Sequence, residues 1–483
     1  MREWDASRVA EIAGARLIAQ PAVHPDGHGP RGASVDSREL APGELFVGLR
    51  GEREDGGRHG AQALAGGAWG VLVTPEHARA LVAGGEDAAG GAVLAHEDPL
   101  GALHALARAW RRELGARGAK VVAITGSTGK TSTKDILAAL LGARLRVAAS
   151  PANRNTEIGL PLALLAAGGE AQAVVLEMAM RGAGQIAQLT QITEPDVGVI
   201  VTVGPAHLEQ LGSLEAIAAA KAELIAGLAP GAGAVVPADE PLLTPHLRAD
   251  VRTITFGDGG DVRMVEQHAG EAAEATGASP TPARVTIAHG EERMQLQPSF
   301  AQAHNLRNLL AAVAAARALG LTPGGRVQVE FSAMRGQRER LANGALLIDD
   351  CYNANPMSMR AAIDDLAATA AARRVAVLGD MLELGPDAPR MHREIGEHAD
   401  ARGVELLVTV GPLAAEMAAS FAGERVCATD APAAAQLLDG LVRDGDAVLV
   451  KGSRGVGLER VVLALRGAGE RALAASALAP GRR

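Results

Sequence analysis

The chain has 483 residues, with 47 Lys and Arg against 56 Asp and Glu, and the net charge of -9 excludes a nucleic-acid protein that relies on a basic face. Hydrophobic residues make up 48% and charged residues 21%, a globular composition that excludes global disorder, and the length suits about three domains. Aromatics are only 2%, so the cores must be built from Ala, Val, Leu and Ile, as where helices pack on parallel strands.

Two cysteines, Cys351 and Cys427, cannot form a disulfide framework and suit a reducing compartment. The opening Met1-Arg2-Glu3-Trp4-Asp5 begins no signal peptide, and no apolar run approaches the roughly 20 residues of a membrane helix. A cytoplasmic protein without a membrane span is expected.

In chain order, short strands are predicted at Glu44–Leu49 and Trp69–Val73, separated by Gly-rich turns. Apolar residues then recur at helical spacing from Leu100 to Leu114, and a Gly-containing break leads into the strand Val121–Thr125. Further strands read at Ala173–Glu177 and Val197–Val203, each with helix-like sequence nearby, which implies a parallel sheet. The stretch Gly320–Gly325 reads as a linker and hinge. Beyond it, strands at Ala345–Asp349, Val375–Leu378, Leu406–Val410 and Ala447–Val450 form another Rossmann-type sheet. The segment around 270–297 is polar and unassigned, and the Ala-rich tail ending Gly481-Arg482-Arg483 reads as a frayed terminus. An α/β protein is expected, with an N-terminal domain over 1–100, a central phosphate-loop domain built on a parallel sheet over 101–323, and a Rossmann-like domain over 324–483.

After the strand ending at Thr125 comes Gly126-Ser127-Thr128-Gly129-Lys130-Thr131, followed by a helix-compatible run. Strand, glycine turn and helix make a cradle in which backbone N–H groups, Lys130 and the Thr131 hydroxyl face phosphates and Mg²⁺. Ile124 stands where the usual six-spaced motif has a glycine, so the loop is a shortened variant. Glu177 closes an apolar strand at the sheet edge where ligands of open α/β folds collect; it reads equally as a metal carboxylate or a solvated charge. His207 also follows a strand, although a lone His is usually structural. Lys221 lies in a helical stretch, and spacing alone makes it a surface charge.

The ordered set Thr125–Thr131, Glu177, Ala206-His207-Leu208-Glu209, Ala220-Lys221-Ala222-Glu223 and His304-Asn305-Leu306-Arg307-Asn308 resembles the Mur ligase superfamily. That resemblance implies ATP and Mg²⁺ as cofactors and a carbamate on Lys221, which turns a cation into a metal-binding anion. It makes Lys130, Lys221 and His207 catalytic, and Thr131, Glu177, His207 and Lys221 the metal residues. Gly126, Ser127, Thr128, Gly129, Lys130 and Thr131 would hold the nucleotide with His304, Asn305, Asn308, Arg338 and Asp350. The choice among Arg335, Arg338 and Arg340 for the nucleotide-contacting cation stays open, because Gly336-Gln337-Arg338 only approximates the usual Gly-Arg.

Asp349-Asp350-Cys351-Tyr352-Asn353-Ala354-Asn355-Pro356, with Gly379–Gly385, His392 and Lys451-Gly452-Ser453-Arg454, resembles the branch of the family that adds D-alanyl-D-alanine to a UDP-N-acetylmuramoyl-tripeptide. Asp36-Ser37-Arg38, Pro42–Val47 and Gly51–Gly56 resemble its UDP-binding N-terminal domain. The substrate contacts so implied are Ser37, Arg38, Asn155, Thr156, Arg181, Tyr352, Asn353, Asn355, Ser453 and Arg454. The resemblance further implies a monomer acting on small molecules. Cys351 replaces a usual Ser and reads as a small buried side chain, since no ligase step needs a thiolate.

Overall fold

A computed structural model describes the chain except for residues 2, 21–28, 52–53, 84–89, 152–153, 269–282, 439 and 468–483. Glu52 and Arg53, the first part of the polar 270–297 segment and the terminal tail therefore lie outside the described residues. Three sheets of five, ten and six strands carry the fold. No helix among the described residues is long and apolar enough to cross a membrane.

In the first sheet, Ala33–Ser34, Leu45–Val47, Gly70–Val73 and Ala92–Ala95 run parallel, and Arg16–Ala19 closes the edge antiparallel to Ala92–Ala95. One face carries Phe46, Val71, Val73 and Val93 in a small core with Ala63 and Ala78 from short helices. The other face, with Leu45, Val47, Leu72 and Leu94, joins a cluster that includes Leu103, Leu106, Trp110 and Leu114 of the helix Pro99–Ala116. The same cluster contains Val121, Ala123, Val174 and Leu176 of the second sheet, so this helix is a layer common to both. Trp4 meets Trp110 edge-on at 5.6 Å and donates from Nε1 to Glu113 at 2.7 Å, pinning the N-terminus onto that layer.

The second sheet sets the phosphate-loop strand Lys120–Thr125 between Ala173–Glu177 and Val197–Ile200, all parallel. Gly233–Pro237 and Arg252–Phe256 extend it in parallel on one side and Val147–Ala149 on the other. Ala173–Glu177, Val197–Ile200 and Gly233–Pro237, with Lys120–Thr125 beyond its first residue, are buried on both faces, hence their largely apolar sequence: the second face packs on the helices Lys130–Gly142 and Ala303–Ala318. The expected parallel sheet is interrupted beyond Val262–His268 by one reversed strand, Arg284–His289, which pairs antiparallel with both Val262–His268 and Glu292–Pro298, and part of the polar segment is thus a hairpin. Gly325–Val327 pairs parallel with Glu292–Pro298, so Gly320–Gly325 leads into an edge strand of the second sheet, and the chain leaves that sheet only after Val327.

The third sheet runs Gln337–Arg340, Leu346–Asp349, Asp446–Lys451, Arg373–Gly379, Leu406–Val410, Glu424–Ala428, parallel except for its first strand. The last strand in sequence sits in the interior, between Leu346–Asp349 and Arg373–Gly379. That order brings Asp350, Lys451 and the Gly379–Glu383 loop to one edge, at the carboxyl ends of adjacent strands.

Candidate active site

Gly126 (φ 156°) and Gly129 (φ 80°) bend the phosphate loop into the helix Lys130–Gly142. A Cβ on Gly129 would lie 2.5 Å from Asn308 Oδ1 and 3.0 Å from Val201, so both backbone angle and close approach demand glycine. Lys130 Nζ donates to the Gly126 carbonyl at 2.7 Å. Burial and the Arg335 charge lower its pKa, and Glu177 opposes them. The Thr131 hydroxyl donates to Glu177 Oε2 at 2.8 Å, and Asn155 Nδ2 donates to Glu177 Oε1 at 2.8 Å. One buried carboxylate thus joins the phosphate loop to the segment after Ser150.

Lys221 is carried by the helix Leu214–Ala226 and is only 1% exposed, where spacing alone reads a solvated charge. Burial drives its ammonium well below the usual lysine range, the nearby Lys130 charge adds to that, and among the described residues no carboxylate offsets it. His207 follows the neighbouring strand and pairs through Nδ1 with Glu383 Oε2 of the third sheet's edge at 2.5 Å. Burial lowers the His207 pKa, with Lys130 and Lys221 acting the same way and Glu383 opposing.

His304, Asn305 and Asn308 occupy the first turns of the helix Ala303–Ala318, with Asn305 and Asn308 buried side by side. Burial depresses the His304 pKa, while Asp350 and Asp365 oppose the shift. Lys451, only 3% exposed, donates to Asp350 at 2.6 Å and to the Asn353 carbonyl at 3.0 Å, which ties the strand ends of the third sheet together. Asn355 caps the helix Pro356–Ala367 in a reciprocal box with Ser358, and its Nδ2 reaches the Ser127 carbonyl of the phosphate loop at 3.4 Å. Ser453 Oγ accepts from Leu382 N–H at 2.9 Å.

Among the three arginines, Arg338 is bound to Asp365 at 2.7 Å and Thr369, and Arg340 to the Gly344 carbonyl. Arg335 lies over the Tyr352 ring at 4.0 Å, and its charge is felt at Lys130. Of the three, Arg335 is the one whose charge reaches Lys130. Three arginines within six positions leave the sequence no means to choose among them.

Other expected contacts stand further out. Arg38 is locked in a two-pronged pair with Asp36, whose carboxyl it holds down at about 2, and Ser37 faces Gln62 at 3.5 Å. Thr156 and Arg181 are exposed, and Arg454 lies 3.8 Å from Glu459. Cys351 is buried and its thiol donates to Asp349 at 3.1 Å; burial and that carboxylate push its pKa up. Cys351→Ser is expected to keep wild-type turnover and to cost about 1 kcal/mol of stability or less, checked by steady-state assay and chemical denaturation.

Among the described residues no group of three or more His, Cys, Asp or Glu side chains is gathered for a metal. The donors at the loop nevertheless fit Mg²⁺, which is commonly held by one or two carboxylates plus substrate phosphates and water: Thr131 and Glu177 already touch.

A glycine loop between a central strand and a helix, with a buried acid on its threonine and a second α/β sheet docked against it, defines a phosphate-loop nucleotide-binding enzyme. Residues 124–316 match the Mur ligase middle domain, and residues 334–454 match the Mur ligase, glutamate ligase domain. The chain belongs to the Mur ligase family. It is 35% identical to the UDP-N-acetylmuramoyl-tripeptide--D-alanyl-D-alanine ligase of Bacillus subtilis, over 89% of this chain and 92% of that one. Its fold is similar to that of MurF from Acinetobacter baumannii (TM-score 0.79, 27% identity, 96% and 99% of the chains covered). It also resembles MurF ligase from Thermotoga maritima in complex with ADP (TM-score 0.75, 29% identity, 92% and 98% covered).

Proposed function

We propose that this protein is the ATP-dependent ligase that joins D-alanyl-D-alanine to UDP-N-acetylmuramoyl-tripeptide through an acyl phosphate, forming the pentapeptide precursor of peptidoglycan. The observation that carries this reading is the docking of the Asp349–Pro356 segment on the phosphate loop through Asn355 and Ser127, in a chain similar along most of its length to ligases of that name.

A peptide bond forms against water only if the tripeptide carboxylate is first made an acyl donor. Carboxylate and γ-phosphate are both anions, and Lys130 with Arg335 would lower their repulsion as they approach. Mg²⁺, held by Thr131 and Glu177 with His207 and a carbamylated Lys221, would supply further positive charge. The buried Lys221 amine fits carbamylation because burial favours its neutral form, the one that is nucleophilic towards carbon dioxide. His304, Asn305 and Asn308 line the nucleotide side, with Asp350 held by Lys451. Tyr352, Asn353, Asn355, Ser453 and Arg454 on the third sheet's edge, with Asn155, Thr156 and Arg181 opposite, face the reacting peptide ends. The N-terminal sheet takes the UDP end near Ser37 and Arg38.

Water must be kept from the acyl phosphate, and a third domain pivoting near 328–336, beyond the edge strand Gly325–Val327, supplies that closure. We assign residues 1–100, 101–327 and 328–483 to the three domains on the same grounds. A cytoplasmic monomer is the setting this reading implies. Phosphate release from Mg-ATP, with the UDP-tripeptide and dipeptide supplied singly and together, tests the assignment. Release that needs both supports it, and release indifferent to the dipeptide overturns it.

A further inference from the structure

His207 (φ 60°) and Glu383 (φ 63°) are two of only four non-glycine residues with a left-handed backbone among the described residues, and they meet each other. Each such conformation costs about 1–2 kcal/mol and persists where its surroundings enforce it. On one side, Ser127 Oγ both donates to the Gly204 carbonyl at 2.9 Å and accepts from Gly204 N–H at 3.0 Å, fixing the turn before His207 to the phosphate loop. On the other, His392 Nε2 accepts from Met381 N–H at 2.9 Å, and Ser453 accepts from Leu382 N–H. The fully buried His392 donates from Nδ1 to the Ala388 carbonyl at 2.6 Å, so its tautomer is set for that task. Glu209 N–H completes the junction by donating to the Glu383 carbonyl at 3.2 Å.

We propose that Glu383 is a positioning residue of the ligation reaction, which orients His207 only when the third domain is docked and so makes completion of the central site depend on closure. A carboxylate can only accept, so His207 donates from Nδ1, and in the neutral imidazole its lone pair then stands on Nε2. That is the tautomer a metal ligand or a proton acceptor needs. The partners come from separate sheets, 176 positions apart in the chain, so undocking leaves His207 without its orienting acceptor. Two rigidly held loops, rather than one flexible side chain, make the contact specific. This inference rests on the ligase reading and adds to it the residue that reports closure.

The test measures free Mn²⁺ by electron paramagnetic resonance, in place of Mg²⁺, with a non-hydrolysable ATP analogue and the UDP-tripeptide present. Glu383→Ala is expected to weaken Mn²⁺ binding about 10-fold or more, while Glu383→Gln, whose amide oxygen still accepts from Nδ1, recovers most of it. Added to His207→Ala, Glu383→Ala is expected to have no further effect. Because the His207 and Glu383 side chains are 24% and 37% exposed, neither truncation opens a cavity in a core, and all variants are expected to fold. Unchanged Mn²⁺ affinity in Glu383→Ala, or additive losses in the double variant, overturns the proposal. Absence of substrate-dependent phosphate release in the unmutated protein would instead sink the ligase reading, since the Mn²⁺ comparison does not use turnover.

Discussion

Lys221→Met is expected to lower ligation about 10²–10³-fold and at the same time to make the protein more stable. The side chain is buried without a carboxylate and beside another cation, so the folded state holds its ammonium poorly and its pKa falls well below 10.5. Between the folded value and 10.5 the unfolded chain binds more protons at this site, so stability rises with pH across that window. Below the window the buried charge is fully destabilising. A methionine of similar volume removes the penalty, and a gain of about 1–3 kcal/mol is expected near neutrality. The gain should shrink as pH approaches 10.5. Denaturant titrations of both proteins at several pH values, in buffer stripped of carbon dioxide, check this. Bicarbonate should then raise turnover of the unmutated protein and leave the variant unaffected. A variant with no gain at neutral pH would show that Lys221 is paired in solution, and undiminished turnover would remove it from the reaction.

The second large effect is expected at Lys130. Lys130→Ala should cut phosphate release about 10²–10³-fold while leaving measurable nucleotide binding, because the loop's backbone N–H groups and the helix N-terminus remain. Single-turnover measurements separate the two, with the chemical step falling more than ATP affinity. Arginine is not expected to rescue it. The amine reaches the Gly126 carbonyl from within a half-buried loop already next to Arg335, and a planar guanidinium does not fit the same contact. Equal losses in affinity and in the chemical step would assign Lys130 to binding alone.

What the sequence disclosed was mostly local. Gly126–Thr131 and the strand ending at Glu177 are each legible because their chemistry lies within a few adjacent residues. The burial of Lys221 was not legible: its helix is Ala-rich and apolar on most sides, so its pattern marks no inward face, and only resemblance singled the lysine out. Nor was the fate of Arg38, whose charge is taken up by Asp36 two positions earlier, in a contact that depends on the turn between them. The Lys451–Asp350 and His207–Glu383 pairs span 101 and 176 positions. Such contacts follow from strand order and domain docking, which periodicity does not encode. The reach of the second sheet was hidden for a related reason: Pro and paired Gly mark a break in local structure, but a three-residue edge strand after them still belongs to the preceding sheet.

The helix Pro99–Ala116 has a consequence for the order in which the chain can fold as it is made. The first hundred residues leave the ribosome with one face of their sheet already covered, by Ala63 and Ala78 against Phe46 and Val71. Leu45, Leu72 and Leu94 on the opposite face wait for a helix not yet synthesised, and that helix in turn needs Val121, Val174 and Leu176 beneath it. The nascent N-terminal part therefore stays half-finished until the first strands of the second sheet have emerged. The third sheet, whose two faces are closed by its own helices, is under no such obligation and can complete itself last.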